Sequence, residues 1–356
     1  MARFFVMAGM LIGLPLIGIR FKGLPVGRYL QFPPETRYVI HAPFSWAVFL
    51  GLTLFLLVLV IPLVRQALTA KRPQEKRPSP AGRIPWWGWA GVFTGAAAWI
   101  VAWTRFSWCA PFQAHTFIPL WLSYILVVNG LIYRKTGRCT LVVRPRFFLL
   151  LFPLSAAFWW FFEYLNRFVQ NWYYVGVQFG PWEYFWYATL SFSTVLPAFQ
   201  TTRDWVLTLP WVDGFRDFLS FKFFHPKVAS GLVLIASGVG LATIGAWPNY
   251  LFPLLWVSPL LIIVALNTLG GRSHVLSPMA SGDWRGVIAS AFSALFCGFF
   301  WEMWNFYSLA KWEYSVPFVH RFEFFEMPVL GYAGYLPFGL ECALIVALVE
   351  KRGQPF

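Results

Sequence analysis

The apolar runs of this chain decide most of what it can fold into. Segments near 3–19, 43–64, 85–103, 116–133, 147–168, 183–201, 228–246, 249–267, 286–307 and 324–349 carry few charges. Each is about as long as the roughly 17–25 residues that a helix needs to cross hydrocarbon. Inside a bilayer every backbone N–H and C=O must find a partner within the protein, and a helix provides one locally. The expectation is an all-α, polytopic integral membrane protein with about ten transmembrane helices. Composition agrees: 58% of the residues are hydrophobic and only 12% are charged.

The net charge of +14 does not point to nucleic acid, because the basic residues sit in short loops between apolar runs. That is the pattern of topology signals. With the N-terminus inside, 20 of the 28 Lys and Arg fall on the inner side and 8 on the outer. This places the chain in the inner (plasma) membrane with both termini cytoplasmic and membrane lipids as its surroundings. The first apolar run lacks a small-residue cleavage site, so it reads as an uncleaved helix, with a signal peptide as the lesser alternative. The Pro-rich basic stretch 71–84 reads as a cytoplasmic linker. It separates an N-terminal two-helix hairpin, 1–70, from two four-helix units, 85–201 and 228–350, joined by a loop over 202–227.

Those two units repeat one another. Glu163-x-x-Asn166, Trp172-x-Tyr174, Trp182-Glu183-Tyr184-Phe185 and Leu196-Pro197 recur as Glu302-x-x-Asn305, Trp312-x-Tyr314, Phe322-Glu323-Phe324-Phe325 and Leu336-Pro337. The offset is 139 residues at the Glu and Asn and 140 from the Trp onward. Upstream, Phe117-x-x-Leu120-Trp121-x-Ser123 matches Phe252-x-x-Leu255-Trp256-x-Ser258 at an offset of 135. An even number of spans per unit points both copies the same way, which implies tandem parallel repeats about an axis along the membrane normal.

A carboxylate in hydrocarbon is expensive and marks a functional candidate. Glu163 with Asn166, and Glu302 with Asn305, share one helix face. Each Asn either holds its neighbouring carboxylate or offers an amide to a ligand, and Trp172, Tyr174, Trp312 and Tyr314 join them as candidate binding residues. Glu183 and Glu323 are expected to begin the next helix, close enough to approach the first carboxylate of their half and share a proton with it. Glu313, His320, Glu326 and Glu341 occur only in the second half, and Glu341 lies mid-helix. The catalytic candidates are therefore Glu163, Glu183, Glu302, Glu323 and Glu341. The bland alternative is interhelical glue, since polar groups also satisfy one another across helices. Cys109, Cys139, Cys297 and Cys342 are far apart and read as free thiols. There is no nucleotide-binding loop, no zinc motif and no spaced His cluster, so neither a cofactor nor a metal is expected.

The order of an acidic helix end, a Trp-x-aromatic step and an acidic start to the next helix resembles the membrane-embedded, two-domain lycopene cyclases of carotenoid biosynthesis. The matching stretches are Glu163 to Phe185 and Glu302 to Phe325. The resemblance implies a cofactor-independent isomerase or cyclase acting on a lipid-soluble isoprenoid, with Glu183 and Glu323 handling protons. From the residues alone three readings stay open: a membrane enzyme moving protons on a lipid-soluble substrate, a proton-coupled transporter with parallel repeats, and a non-catalytic membrane scaffold.

Overall fold

A computed structural model describes residues 2–34, 36–70 and 82–350. Most of the expected linker, 71–81, and the basic pair at 351–352 lie outside the described residues. The protein is mostly helical, with two short two-stranded ribbons. Among the described residues, six helices are long and apolar enough to cross a membrane.

Helix α1 covers 2–21 and contains a π-helical turn at Gly9–Gly13. It is followed by α2 (Trp46–Thr69), α3 (Trp86–Trp103), α4 (Phe117–Thr136) and α5 (Pro145–Val169). Strand β1 (Trp172–Val175) leads into α6 (Pro181–Phe192) and α7 (Val195–Leu207). The second half brings α8 (Pro226–Thr243), α9 (Leu254–Leu269), α10 (Arg285–Phe306), β2 (Lys311–Tyr314), β3 (Glu323–Phe324), β4 (Met327–Pro328) and α11 (Tyr335–Val349).

Local chemistry sets these boundaries. α4 carries Arg134 and Lys135 in its last turn, where the helix dipole favours cations, and stops at Gly137 in the left-handed conformation. α5 opens on Pro145, whose missing N–H would have had no helical partner. The expected helix over 183–201 is in fact two, broken by a turn at Ser193 and Thr194. Pro197 falls in the first turn of α7 and Pro337 in the first turn of α11. A proline is tolerated there but not deeper in a helix.

One expectation needs correction. The last apolar segment was expected to be helical from 324, with Glu323 at its start. Residues 323–328 instead form the β3–β4 hairpin, paired Glu323 to Pro328 and Phe324 to Met327. Phe322 and Phe325 take φ of 57° and 58°, and Pro328 offers no N–H, so a helix cannot run through this stretch. A 3₁₀ turn, Val329–Gly334, then leads into α11.

The two Trp-x-Tyr steps, 140 residues apart in sequence, pair with each other. β1 and β2 are antiparallel, with Trp172 opposite Tyr314 and Tyr174 opposite Trp312. The register is symmetric between the two copies. Helices α3 and α4, α8 and α9, and α10 and α11 pack as neighbours, and α7 packs on α10. The α10–α11 approach is close enough that a Cβ at Gly339 would come within 2.2 Å of the Ser290 carbonyl oxygen.

α1 lies against α8 and α9, whereas α2 meets the turns 210–215 and 329–334. None of the residues of α2 is buried. It is tied at its ends, where the Ser45 N–H donates to Phe318 O at 2.9 Å and Gln66 Nε2 donates to Gly214 O at 2.6 Å. The segment before it, 36–45, crosses the ends of both halves as an extended strap. Gln170 Oε1 accepts the N–H groups of Tyr38 and Val39 at 2.9 Å. His41 Nε2 bonds Val169 O at 2.7 Å and its Nδ1 bonds Ser315 Oγ at 2.5 Å. Burial holds the His41 imidazole below its usual range, against the hydrogen bond to Val169 that raises it, and His320 lowers it further.

Candidate functional site: two carboxyls behind one aromatic cavity

The site begins with the two asparagines. Asn166 Nδ2 donates to Trp172 O at 2.8 Å, and its Oδ1 accepts the Asn171 N–H at 2.8 Å. Asn305 Nδ2 donates to Trp312 O at 2.7 Å, and its Oδ1 accepts the Trp312 N–H at 2.9 Å. Each amide clamps the backbone where its strand starts. Neither is spent on the carboxylate one turn earlier, and Asn305 also lines the cavity described below.

The clamp turns the strand side chains back onto the helix. Glu163 Oε1 accepts three donors: Trp159 Nε1 at 3.2 Å, Trp172 Nε1 at 3.0 Å and Tyr174 OH at 2.6 Å. Glu302 Oε1 accepts two phenols, Tyr314 OH at 2.6 Å and Tyr335 OH at 2.7 Å. Trp312 Nε1 donates to the Tyr314 oxygen at 2.8 Å. Glu163 is 2% exposed and Glu302 0%. Glu302 Oε2 is buried with no hydrogen-bond partner among the described residues.

Neither Tyr335 nor Trp159 is among the expected site residues, yet both touch a carboxyl. A signal for them existed. At the repeat offsets Trp159 stands where the second half has Gly298, and Val195 stands where it has Tyr335. The two departures compensate: a Cβ at Gly298 would lie 2.5 Å from Tyr335 Cε2. In one half an indole from the same helix reaches the carboxyl. In the other a glycine leaves room for a phenol from α11.

In front of both clusters is a cavity of about 570 Å³, within the roughly 300–1,000 Å³ range of ligand sites. Trp159, Trp172 and Tyr174 from one half and Trp301, Trp312 and Tyr314 from the other line it, with Tyr335 between. Tyr174 is 39% accessible because it faces this space. Trp159 and Trp301 lie 4.7 Å apart between ring centres, and Trp172 stacks on Trp256 at 5.7 Å. One side wall is α2, through Leu52, Phe55, Leu56 and Leu59. The cavity is thus apolar, with phenol hydroxyls among its few polar atoms and a carboxyl behind them.

The remaining candidates lie elsewhere. Glu183 is exposed, and its Oε2 accepts the Gly180 N–H at 3.2 Å, capping α6. It is Tyr184 that lines the cavity. Glu323 sits on β3 and pairs with His320 at 3.3 Å. Glu326 pairs with Lys311 at 2.5 Å, and Glu313 accepts from Tyr173 OH at 3.1 Å. Glu341 is 1% exposed, and its Oε1 accepts the Leu260 N–H at 2.9 Å, beside the Pro259 interruption of α9. All four cysteines are free and buried, and among the described residues no cluster of three or more His, Cys, Asp or Glu could hold a metal. No family model, curated protein or solved structure matches this chain.

Proposed function

We propose that this protein is an integral membrane enzyme that takes an elongated lipid-soluble substrate, an isoprenoid or related polyene, into the aromatic cavity and moves a proton on it. The observation that carries this reading is the pairing of an apolar, indole-walled space with phenols whose hydroxyls rest on buried carboxyls. A carboxyl–phenol pair gives a proton to a double bond, and the indole faces stabilise the cation that forms. The same carboxyl–phenol pair takes a proton back from a neighbouring carbon, which restores a neutral product and resets the acid. The net change is an isomerisation or ring closure, with no cofactor consumed. The exposed flank of α2 supports entry sideways from lipid.

The finer architecture belongs to the same proposal. Ten spans in tandem parallel repeats, after an N-terminal pair of helices, are supported by the symmetric β1–β2 register and the matching proline-started helices α7 and α11. The distribution of Lys and Arg supports a plasma-membrane location with cytoplasmic termini. A proton-coupled carrier is the second reading, favoured by the buried polar groups along α7. The test is to extract the protein with its native lipids, identify any co-purified isoprenoid by mass spectrometry, and follow its conversion after reconstitution. Conversion supports the enzyme. pH-driven uptake without chemical change moves the assignment to the carrier, and neither conversion nor uptake leaves a scaffold.

A further inference from the structure

A second set of buried polar groups, in three hydrogen-bonded clusters, follows α7 away from the cavity, and the chemistry above does not use it. At its near end Tyr124 OH and Thr202 Oγ1 are 2.7 Å apart, and Thr202 Oγ1 lies 3.2 Å from Cys297 Sγ. Five residues further along α4, Asn129 Nδ2 donates to Thr201 Oγ1 at 3.0 Å and to Ile125 O at 2.9 Å. At the far end Gln200 Nε2 donates to Asp204 Oδ1 at 2.7 Å, and Thr140 Oγ1 donates to Oδ2 at 2.5 Å. Asn129, Thr140, Thr201 and Thr202 have no exposed surface, while Asp204 retains 8%.

Three features separate this set from simple glue. Glue groups satisfy one another, but here Asn129 Oδ1 and Gln200 Oε1 are buried without partners among the described residues. The amide orientations are settled by their other ends, which face a carbonyl and a carboxylate, so the free atoms of Asn129 and Gln200 are acceptors suited to water or hydronium. Second, the set comes near the carboxyl site: Cys297 and Tyr335 line one small void of about 10 Å³. Third, it occurs once. At the repeat offsets Asn129, Thr202 and Asp204 correspond to Val264, Cys342 and Leu344, and Thr201 to the buried Glu341, so the second half carries a different set of groups and duplication alone did not produce this one.

We propose that this set of groups is a proton path joining Glu302, through Tyr335, to the end of the bundle opposite the strands, with Asp204 as its entry group. Hydroxyls, thiols and bound water both donate and accept, as a relay requires, and chains of such groups mark proton routes in membranes. Asp204 lies within electrostatic reach of Arg203 and of Glu350, which Arg144 pairs at 2.9 Å, and is so placed to collect protons near that surface. The inference rests on the acid–base reading of Glu302.

The test uses the full chain in vesicles of uniform orientation. The infrared carboxyl band of Glu302 is assigned by difference against Glu302→Gln and followed after a pH jump on one side. From the Asp204 side, Asp204→Asn and Thr202→Val are expected to slow the response by about tenfold or more. Thr202→Ser keeps the wild-type rate, and a jump on the other side gives the same response in every variant. Folded Asp204→Asn and Thr202→Val proteins that respond at the wild-type rate would overturn the path and leave the acid–base reading standing. A wild-type band that responds to neither side removes both.

Discussion

The two carboxyl clusters are built from the same repeat, yet their donors differ in kind. Glu163 is held by two indoles and one phenol, Glu302 by two phenols. An indole N–H only donates, whereas a phenol both donates and accepts. The Glu163 cluster is therefore suited to holding a carboxyl in place, and the Glu302 cluster to passing a proton on. Part of the difference traces to one compensated exchange, Trp159 with Val195 in one half against Gly298 with Tyr335 in the other, and part to the indole on the strand, which donates to Glu163 from Trp172 but to Tyr314 from Trp312.

The comparison breaks most directly at the carboxyls themselves. Glu302→Gln keeps size and hydrogen bonding but cannot exchange a proton. It is expected to lower turnover of the reconstituted lipid substrate by roughly 10²–10⁴-fold while the protein stays folded and inserted. Glu163→Gln should cost about tenfold or less in the same assay, since no second phenol serves it. Equal losses in the two variants would erase the proposed division of roles. Full activity in both would make the carboxyls structural.

A smaller effect is expected one step out. Tyr335→Phe removes the donor unique to the second half and should reduce turnover by about tenfold, with the residual rate carried by Tyr314. Gly298→Ala sharpens this. Its Cβ would press on the Tyr335 ring at 2.5 Å, so overpacking should destabilise the protein by about 1–3 kcal/mol in detergent unfolding and reproduce the Tyr335→Phe loss. On the other side, Trp159→Phe deletes one of three donors to Glu163. A typical hydrogen bond contributes about 0.5–1.5 kcal/mol, so a small loss of stability with little change in turnover is expected.

The smallest effect concerns the strap that spans both halves. His41 is docked with its imidazole held below the usual range by burial. A released strap therefore takes up a proton at a higher pH than a docked one. Docking is full above the ordinary imidazole value of about 6.5 and weakens as pH falls below it. Amide exchange over 36–45 should rise modestly between about pH 7.5 and pH 5.5, and His41→Gln should remove that pH dependence. Exchange that is flat across this range in the wild type would show that His41 does not control the strap.

Much of the frame was legible in the residues because the bilayer allows few alternatives. Long apolar runs must be helices, and a buried Glu-x-x-Asn must turn inward to find partners, as Glu163 and Glu302 do. The break before Leu-Pro was not read from the sequence, which suggested one helix over 183–201 and one over 324–349, although Pro197 and Pro337 sit in the first turns of α7 and α11 where the new helices start. The sites were less legible. Glu183 and Glu323 had the right order in sequence, but a helix cap and a hairpin turned them outward. Tyr335, 33 residues from Glu302, reaches it only because two helices meet where Gly298 leaves a gap. The antiparallel pairing of β1 with β2, 140 residues apart, brings both clusters to one cavity. Spacing along a chain reports which residues share a face. Which faces meet depends on how side-chain volumes fit between helices, and only the packed structure decides that.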